Sequence, residues 1–252
     1  MDNEIISYPF LKNSSIEKET LELMKSYKEK TGKIVKAPIP VFDLIEYLGY
    51  NVDFRSDGIY EDENFLGGLV ISKKMVEINE NLDDQEGRMN FTAAHETGHI
   101  VLHAPYYIEQ LKKNEKENSD IICRKDEGFE GNKKAPEEWQ ADKFAALLLM
   151  PSAMVKKAFF STYKRPINVK KKKLREIFFP KSPIFKAYRL AEAIIKAGNF
   201  INVSKMAMLN RLIGMRLVKG LSYQKSITTP VSYTHLRAHE TSLHLVCRLL
   251  LE

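Results

Sequence analysis

Residues 91–103 read FTAAHETGHIVLH, and the pattern His95-Glu96-Thr97-Gly98-His99 inside that stretch decides how the rest of the chain is read. Asp83 followed by Glu86 forms a capping box, which predicts a helix running from there to about His103. On a helix the imidazoles of His95 and His99 project from one face, about 6 Å apart along the axis, so both reach a single ion. Glu96 stands one residue beyond the first imidazole, where its carboxylate can take a proton from water at that ion without entering the coordination sphere. Two imidazoles and a carboxylate with the fourth position open form a hydrolytic zinc arrangement, and one Zn2+ is the expected cofactor.

Five residues match such a pattern by accident often enough to require a second signal, a third ligand. His103 lies about 12 Å along the axis from His95, too far for ligands that each bind within about 2 Å of zinc, and reads as a supporting or packing residue. The metzincin turn is excluded, because it needs Gly and His where this chain has Leu102 and Pro105. There remains a carboxylate from a later helix, EEWQADKFAALLLMP at 137–151, whose Ala141, Phe144, Ala145 and Leu148 form a core stripe. Glu138 and Asp142 share one flank at i, i+4. With Glu138 on the metal, Asp142 falls one turn on, where it can accept the second ring N–H of a ligand histidine. Spacing alone leaves Glu137 as an alternative, and leaves Glu138 readable as an ordinary carboxylate favoured at a helix N-terminus.

Working outward, helices are expected at 16–30 and, after the APIP entry, at 41–48, closed by Gly49. Residues 51–54 alternate as a strand, and Leu69-Val70-Ile71 with 75–78 reads as a hairpin across Ser72-Lys73-Lys74. A hydrophilic stretch at 112–134 precedes the second metal helix, which Met150-Pro151 ends. Trp139 and Phe144 read as core, Cys123 as a loop thiol, and Tyr106 and Tyr107 as packing.

The 252 residues, 44% hydrophobic and 29% charged, exclude disorder and collagen. No apolar run nears the roughly 20 residues of a membrane helix and the N-terminus lacks a signal pattern, so no membrane and a cytoplasmic location are expected. Two cysteines, Cys123 and Cys247, fit a reducing compartment. Net charge is uneven: residues 1–159 carry 21 Lys+Arg against 29 Asp+Glu, and residues 160–229 carry 16 against 2. Two units of opposite character follow, the second able to attract nucleic acid or an acidic partner, or else holding a solvated basic helix at 170–175. From Pro230 the sequence resembles translated sequencing-adapter read-through. It is set aside from fold reasoning, together with His235, His239 and His244, and the native C-terminus is expected to be lost.

FTAAHETGHIVLH followed by EWQADKFAALLLMP resembles the ImmA/IrrE family of bacterial zinc metallopeptidases over about residues 38–151, with GGLVIS, VEINEN and Arg88 in matching places. NVSKMAMLNRLIGMRLV extends the likeness to about Leu221, while the insert at 104–135 and the tail depart from it. The resemblance implies Glu138 as third ligand beside His95 and His99, with Glu96 as the base and Asp142 in support. It also implies an α+β, zincin-like minimal metallopeptidase domain, a small sheet over two metal-binding helices, followed by a small basic helical domain of helix-turn-helix type. The boundaries expected are an N-terminal helical extension at 1–36, the catalytic domain at 37–160, the basic domain at 161–229 and the artefact tail at 230–252. Hydrolysis of a peptide bond in a helix-turn-helix repressor of a mobile element or stress response is the implied activity, with the substrate extended along Leu69-Val70-Ile71 as an edge strand. A contrasting reading is a DNA-binding regulator with a non-catalytic zinc centre. There Ser204 caps a helix bearing Met208, Leu212 and Met215, and residues 164–219, through Lys205, Arg211, Arg216 and Lys219, contact phosphate.

Overall fold

The computed structural model describes residues 9–55, 66–82, 86–113, 122–125, 136–171 and 182–221. The chain divides into two units, Met1–Leu149 and Met150–Glu252. Among the described residues no single helix is long and apolar enough to cross a membrane. The capping pair at Asp83, residues 172–175 of the expected basic helix and the tail histidines lie outside the described residues.

In the first unit, helix α1 (Asn13–Thr31) buries Ile16, Thr20, Leu23, Met24 and Tyr27, the single stripe that a 3.6-residue period produces. It stops at Gly32, whose φ of 73° suits a residue without Cβ, and packs on α5. Helix α2 (Val41–Tyr47) leads through Gly49 into strand β1 (Asn51–Arg55), followed by β2 (Gly67–Val70) and β3 (Met75–Asn79). The hairpin expected across 72–74 forms, with Val70 opposite Met75 and Gly67 opposite Ile78. Helix α3 (Glu86–Leu102) ends where Pro105 follows, α4 (Ala104–Lys113) restarts the chain, and β4 (Ile122–Lys125) and α5 (Pro136–Leu149) complete the unit. The sheet order is β1-β3-β2-β4, with β1 parallel to β3 and the other pairs antiparallel.

The expectation of Leu69-Val70-Ile71 as an edge strand is corrected here. β2 has a strand on each side, Leu69 facing Val76 on one and Cys123 on the other, and Ile71 belongs to the turn. The fourth strand comes from within the hydrophilic stretch, so Cys123 sits in β4 and not in a loop. Trp139 is not core either: half-exposed, it stacks on Phe10 with centroids 5.5 Å apart and carries the Lys143 ammonium over its ring.

α3 is buried without a break from Asn90 to Ile100, held between the sheet and α5. Its approach to α5 depends on small residues. A Cβ on Gly98 would stand 3.0 Å from Cα of Ala141, 3.1 Å from its carbonyl oxygen and 3.1 Å from Cβ of Phe144.

In the second unit, α6 (Ser152–Thr162), α7 (Pro183–Gly198) and α8 (Lys205–Gly214) enclose Val155, Phe159, Leu190, Ile194, Phe200, Met208 and Leu212. Ser182 caps α7 by accepting from the Phe185 N–H, and Ser204 caps α8 from the Ala207 N–H, as its sequence position indicates. Strands β5 (Ile167–Asn168) and β6 (Val218–Lys219) pair in parallel. Lys170 lies in the turn after β5, so the basic helix expected to begin there does not. Arg211, read above as a phosphate contact, is spent internally: it donates to the Met150 carbonyl at 3.0 Å and to Ser152 Oγ at 2.8 Å.

The backbone contact at Gly98 yields a test. Gly98→Ala should destabilise the first unit by about 1–3 kcal/mol through overpacking, less a helix-propensity gain of up to about 1 kcal/mol, and should loosen metal binding as α5 is displaced. Urea denaturation with parallel metal titration checks this; a variant as stable as the parent and binding metal equally would contradict the packing account.

Candidate metal centre

Helix periodicity sets His95 and His99 on one face of α3, and the Gly98–Ala141 contact brings Glu138 of α5 over that face. The result is a buried cluster in which the two imidazole Nε2 atoms are 3.0 Å apart. One Glu138 oxygen lies 3.4 Å from His95 Nε2, and the other 3.3 Å from His99 Nε2. His95, His99 and Glu138 thus form a group able to hold a metal ion. Ligand atoms about 2.0–2.1 Å from a tetrahedral ion stand about 3.3–3.4 Å from one another, close to the separations here. Glu137, left open by spacing, is not part of the group.

Each imidazole is oriented from its far side. Asp142 Oδ1 lies 2.8 Å from His95 Nδ1, so the Nδ1–H donates to the carboxylate and Nε2 is left facing the cluster. His103 does the corresponding work for His99, their Nδ1 atoms being 3.0 Å apart. His103, excluded as a ligand and read from the sequence as a supporting or packing residue, supports His99, the residue four positions before it on the same helix face. Burial, with the neighbouring His99, lowers His103 to about 3, so it stays neutral and accepts the His99 proton.

Glu96 is 1% exposed, and its Oε2 has no hydrogen-bond partner among the described residues; the same holds for Glu138 Oε2. Two buried carboxylate oxygens left so beside two imidazoles are what a cation at the centre would satisfy. β2 closes over Glu96 through Gly67, where a Cβ would stand 2.5 Å from Thr92 Cγ2 and 3.9 Å from Glu96 Cγ. Burial pushes Glu96 up to about 7 against the pull of His95 and His99. In His95 burial opposes the charge, but Asp142 and Glu138 outweigh it and raise the imidazole to about 9. Glu138, whose burial also opposes ionisation, is held well below the carboxylate range by the His95 and His99 imidazoles that its two oxygens face.

The family model of the IrrE N-terminal-like domain matches residues 46–167, a span containing every residue of this cluster. This part of the chain belongs to the IrrE N-terminal-like peptidase family. No curated protein and no solved structure matches the chain. Within the IrrE-like domain the His/His/Glu group fits a metallopeptidase. Arg88, singled out with the resemblance, lies half-buried near the start of α3.

Two outcomes follow for metal binding. His95 holds a proton below about pH 9, and an ion must displace it from Nε2. Affinity should therefore fall about tenfold per pH unit between about pH 9 and pH 7, with about one proton released; titration calorimetry in buffers of differing ionisation enthalpy reads both, and a pH-independent affinity would refute the proton count. Asp142→Ala should weaken binding about 10–100-fold with the fold intact, measured by chelator competition.

Proposed function

We propose that the chain is a zinc endopeptidase that cleaves a protein substrate, a helix-turn-helix repressor of a mobile element or stress response. The observation that carries the peptidase reading is the convergence of three ligand atoms beside a buried carboxylate that is free of the ligand set. A structural zinc site is normally closed by four protein ligands, whereas among the described residues three converge here with the Glu96 carboxylate alongside. The repressor as substrate, and a cytoplasmic setting in which Cys123 and Cys247 stay reduced, rest on the resemblance and the composition.

His95, His99 and Glu138 would hold the ion, and Asp142 and His103 fix the imidazoles with Nε2 inward. Zinc bound there supplies Lewis acidity toward the scissile carbonyl and toward water. Glu96 takes the proton of the attacking water and returns it to the leaving amine. A carboxyl raised to about 7 is suited to both halves of that transfer near neutral pH. The substrate backbone pairs with the outer edge of β4, which among the described residues is the edge strand on the side of the sheet where β2 covers Glu96.

The alternative, a DNA-binding regulator with a non-catalytic zinc centre, draws on the charge of residues 160–229. Intact-mass analysis of the repressor-like protein encoded nearest this gene separates the two readings. Glu96→Gln should keep zinc at one equivalent and lower cleavage about 10²–10⁴-fold, while Glu138→Ala should lose both zinc and cleavage. Equal cleavage by Glu96→Gln would remove the assigned base, and tight zinc binding by Glu138→Ala would remove the third ligand.

A further inference from the structure

We infer that the second unit carries a sequence-independent site for the phosphate backbone of duplex DNA, formed by six cations around the β5–β6 ladder. Lys164 and Arg165 lead into β5, Lys170 and Lys171 follow it, Arg216 precedes β6 and Lys219 lies in it; all are exposed. The strands are parallel, with Ile167 beside Val218 and Asn168 beside Lys219, so Arg165 and Arg216 enter the ladder at the same end. At the other end a Cβ on Gly220 would stand 3.1 Å from Lys170 Cγ, which brings Lys170 alongside the exit of β6. Among the described residues of this unit Glu192 is the only carboxylate, and it is held by Lys196 at 3.6 Å and Lys205 at 3.5 Å. The cations at the ladder therefore repel one another with no acid between them among the described residues, a cost that a polyanion removes.

Their surroundings choose between polyanions. Val169, Leu217 and Val218 turn inward and are buried, so the ladder offers no apolar centre for a protein partner to cover. Four of the six cations are lysines. Lysine is depleted in protein–protein interfaces and serves well as a point charge against phosphate. Base readout is disfavoured by α8, where Ala207, Met208, Leu209, Asn210 and Leu212 are buried, Arg211 holds Met150 and Ser152, and Lys205 is paired with Glu192. That helix has no row of outward polar side chains with which to reach base edges.

The test uses the full chain and fluorescence anisotropy with an end-labelled, mixed-sequence duplex of about 20 base pairs, which spans more phosphates than six cations can meet. It does not depend on peptidase activity. Six phosphate contacts predict a slope of log K against log salt of about −5; combining Arg165→Gln, Lys170→Gln, Arg216→Gln and Lys219→Gln should reduce it to about −2. The same variant should bind at least about tenfold more weakly at low salt. Zinc binding and thermal melting should not change. Should the quadruple variant melt early, Lys170→Gln with Lys219→Gln repeats the measurement with two changes only, with a loss of about 2 in slope expected. The inference is overturned by no binding at low salt, by an unchanged slope in the variant, by a strong preference for one duplex sequence, or by tighter binding of a poly-glutamate peptide, which would make the partner an acidic protein.

Discussion

Where Gly98 meets Ala141, two helix backbones touch, and the His95, His99 and Glu138 cluster comes together because they do. Gly98 is three residues beyond His95 and one before His99, on the side of α3 that α5 covers. Ala141 lies between Glu138 and Asp142 on the opposing helix. A larger side chain at either position would hold the helices apart by more than the 3.3–3.4 Å over which Glu138 now faces the two imidazoles. Ala93 and Ala94 of α3 and Ala145 and Ala146 of α5 are also small and buried. In such an interior small displacements are not absorbed, since close-packed side chains transmit them.

That packing places charged groups where water does not reach, and the arrangement is tolerable only because the groups answer one another. Glu138 and Asp142 each face His95, which draws it into the charged form despite burial. Glu96 has no such answer at its Oε2 among the described residues and is driven the other way, toward the neutral acid. Two carboxyl groups of one cluster are thus pushed apart in acidity by their surroundings, the division expected where one carboxyl is to hold charge and the other to move a proton. An ion at the centre would replace the His95 proton and complete the coordination of Glu138. Metal affinity and the stability of the first unit are therefore parts of one free energy.

How much of this was legible follows from which distances the sequence encodes. His95, Glu96 and His99 are related by helical period alone, so their geometry can be read directly. The role of Asp142 follows in the same way once Glu138 is placed, because the two are i, i+4. Placing Glu138 itself required the resemblance, since the α3–α5 contact joins residues more than 40 positions apart in the chain. The β4 strand was not legible: Ile122-Cys123-Arg124-Lys125 is four residues with no alternation, set in a hydrophilic stretch, and only its pairing with β2 defines it. Missing it turned an interior strand into an expected edge. Trp139 was misplaced because an aromatic beside a core stripe reads as core, whereas here an exposed Phe10 supplies its cover.

The two kinds of charge in this chain act over different ranges. Exposed charges more than about 8 Å apart are largely screened at physiological ionic strength, whereas buried contacts are not. The His95 shift is accounted for by partners at 2.8 Å and 3.4 Å, so the proton chemistry of the centre is set by contacts inside α3 and α5. The cations at the β5–β6 ladder are exposed, so any pull they exert on a polyanion is open to screening by salt. Salt should accordingly separate the properties of the two units. A response that varies steeply with ionic strength belongs to the ladder, and one that varies with pH at fixed salt belongs to the buried imidazoles and carboxylates.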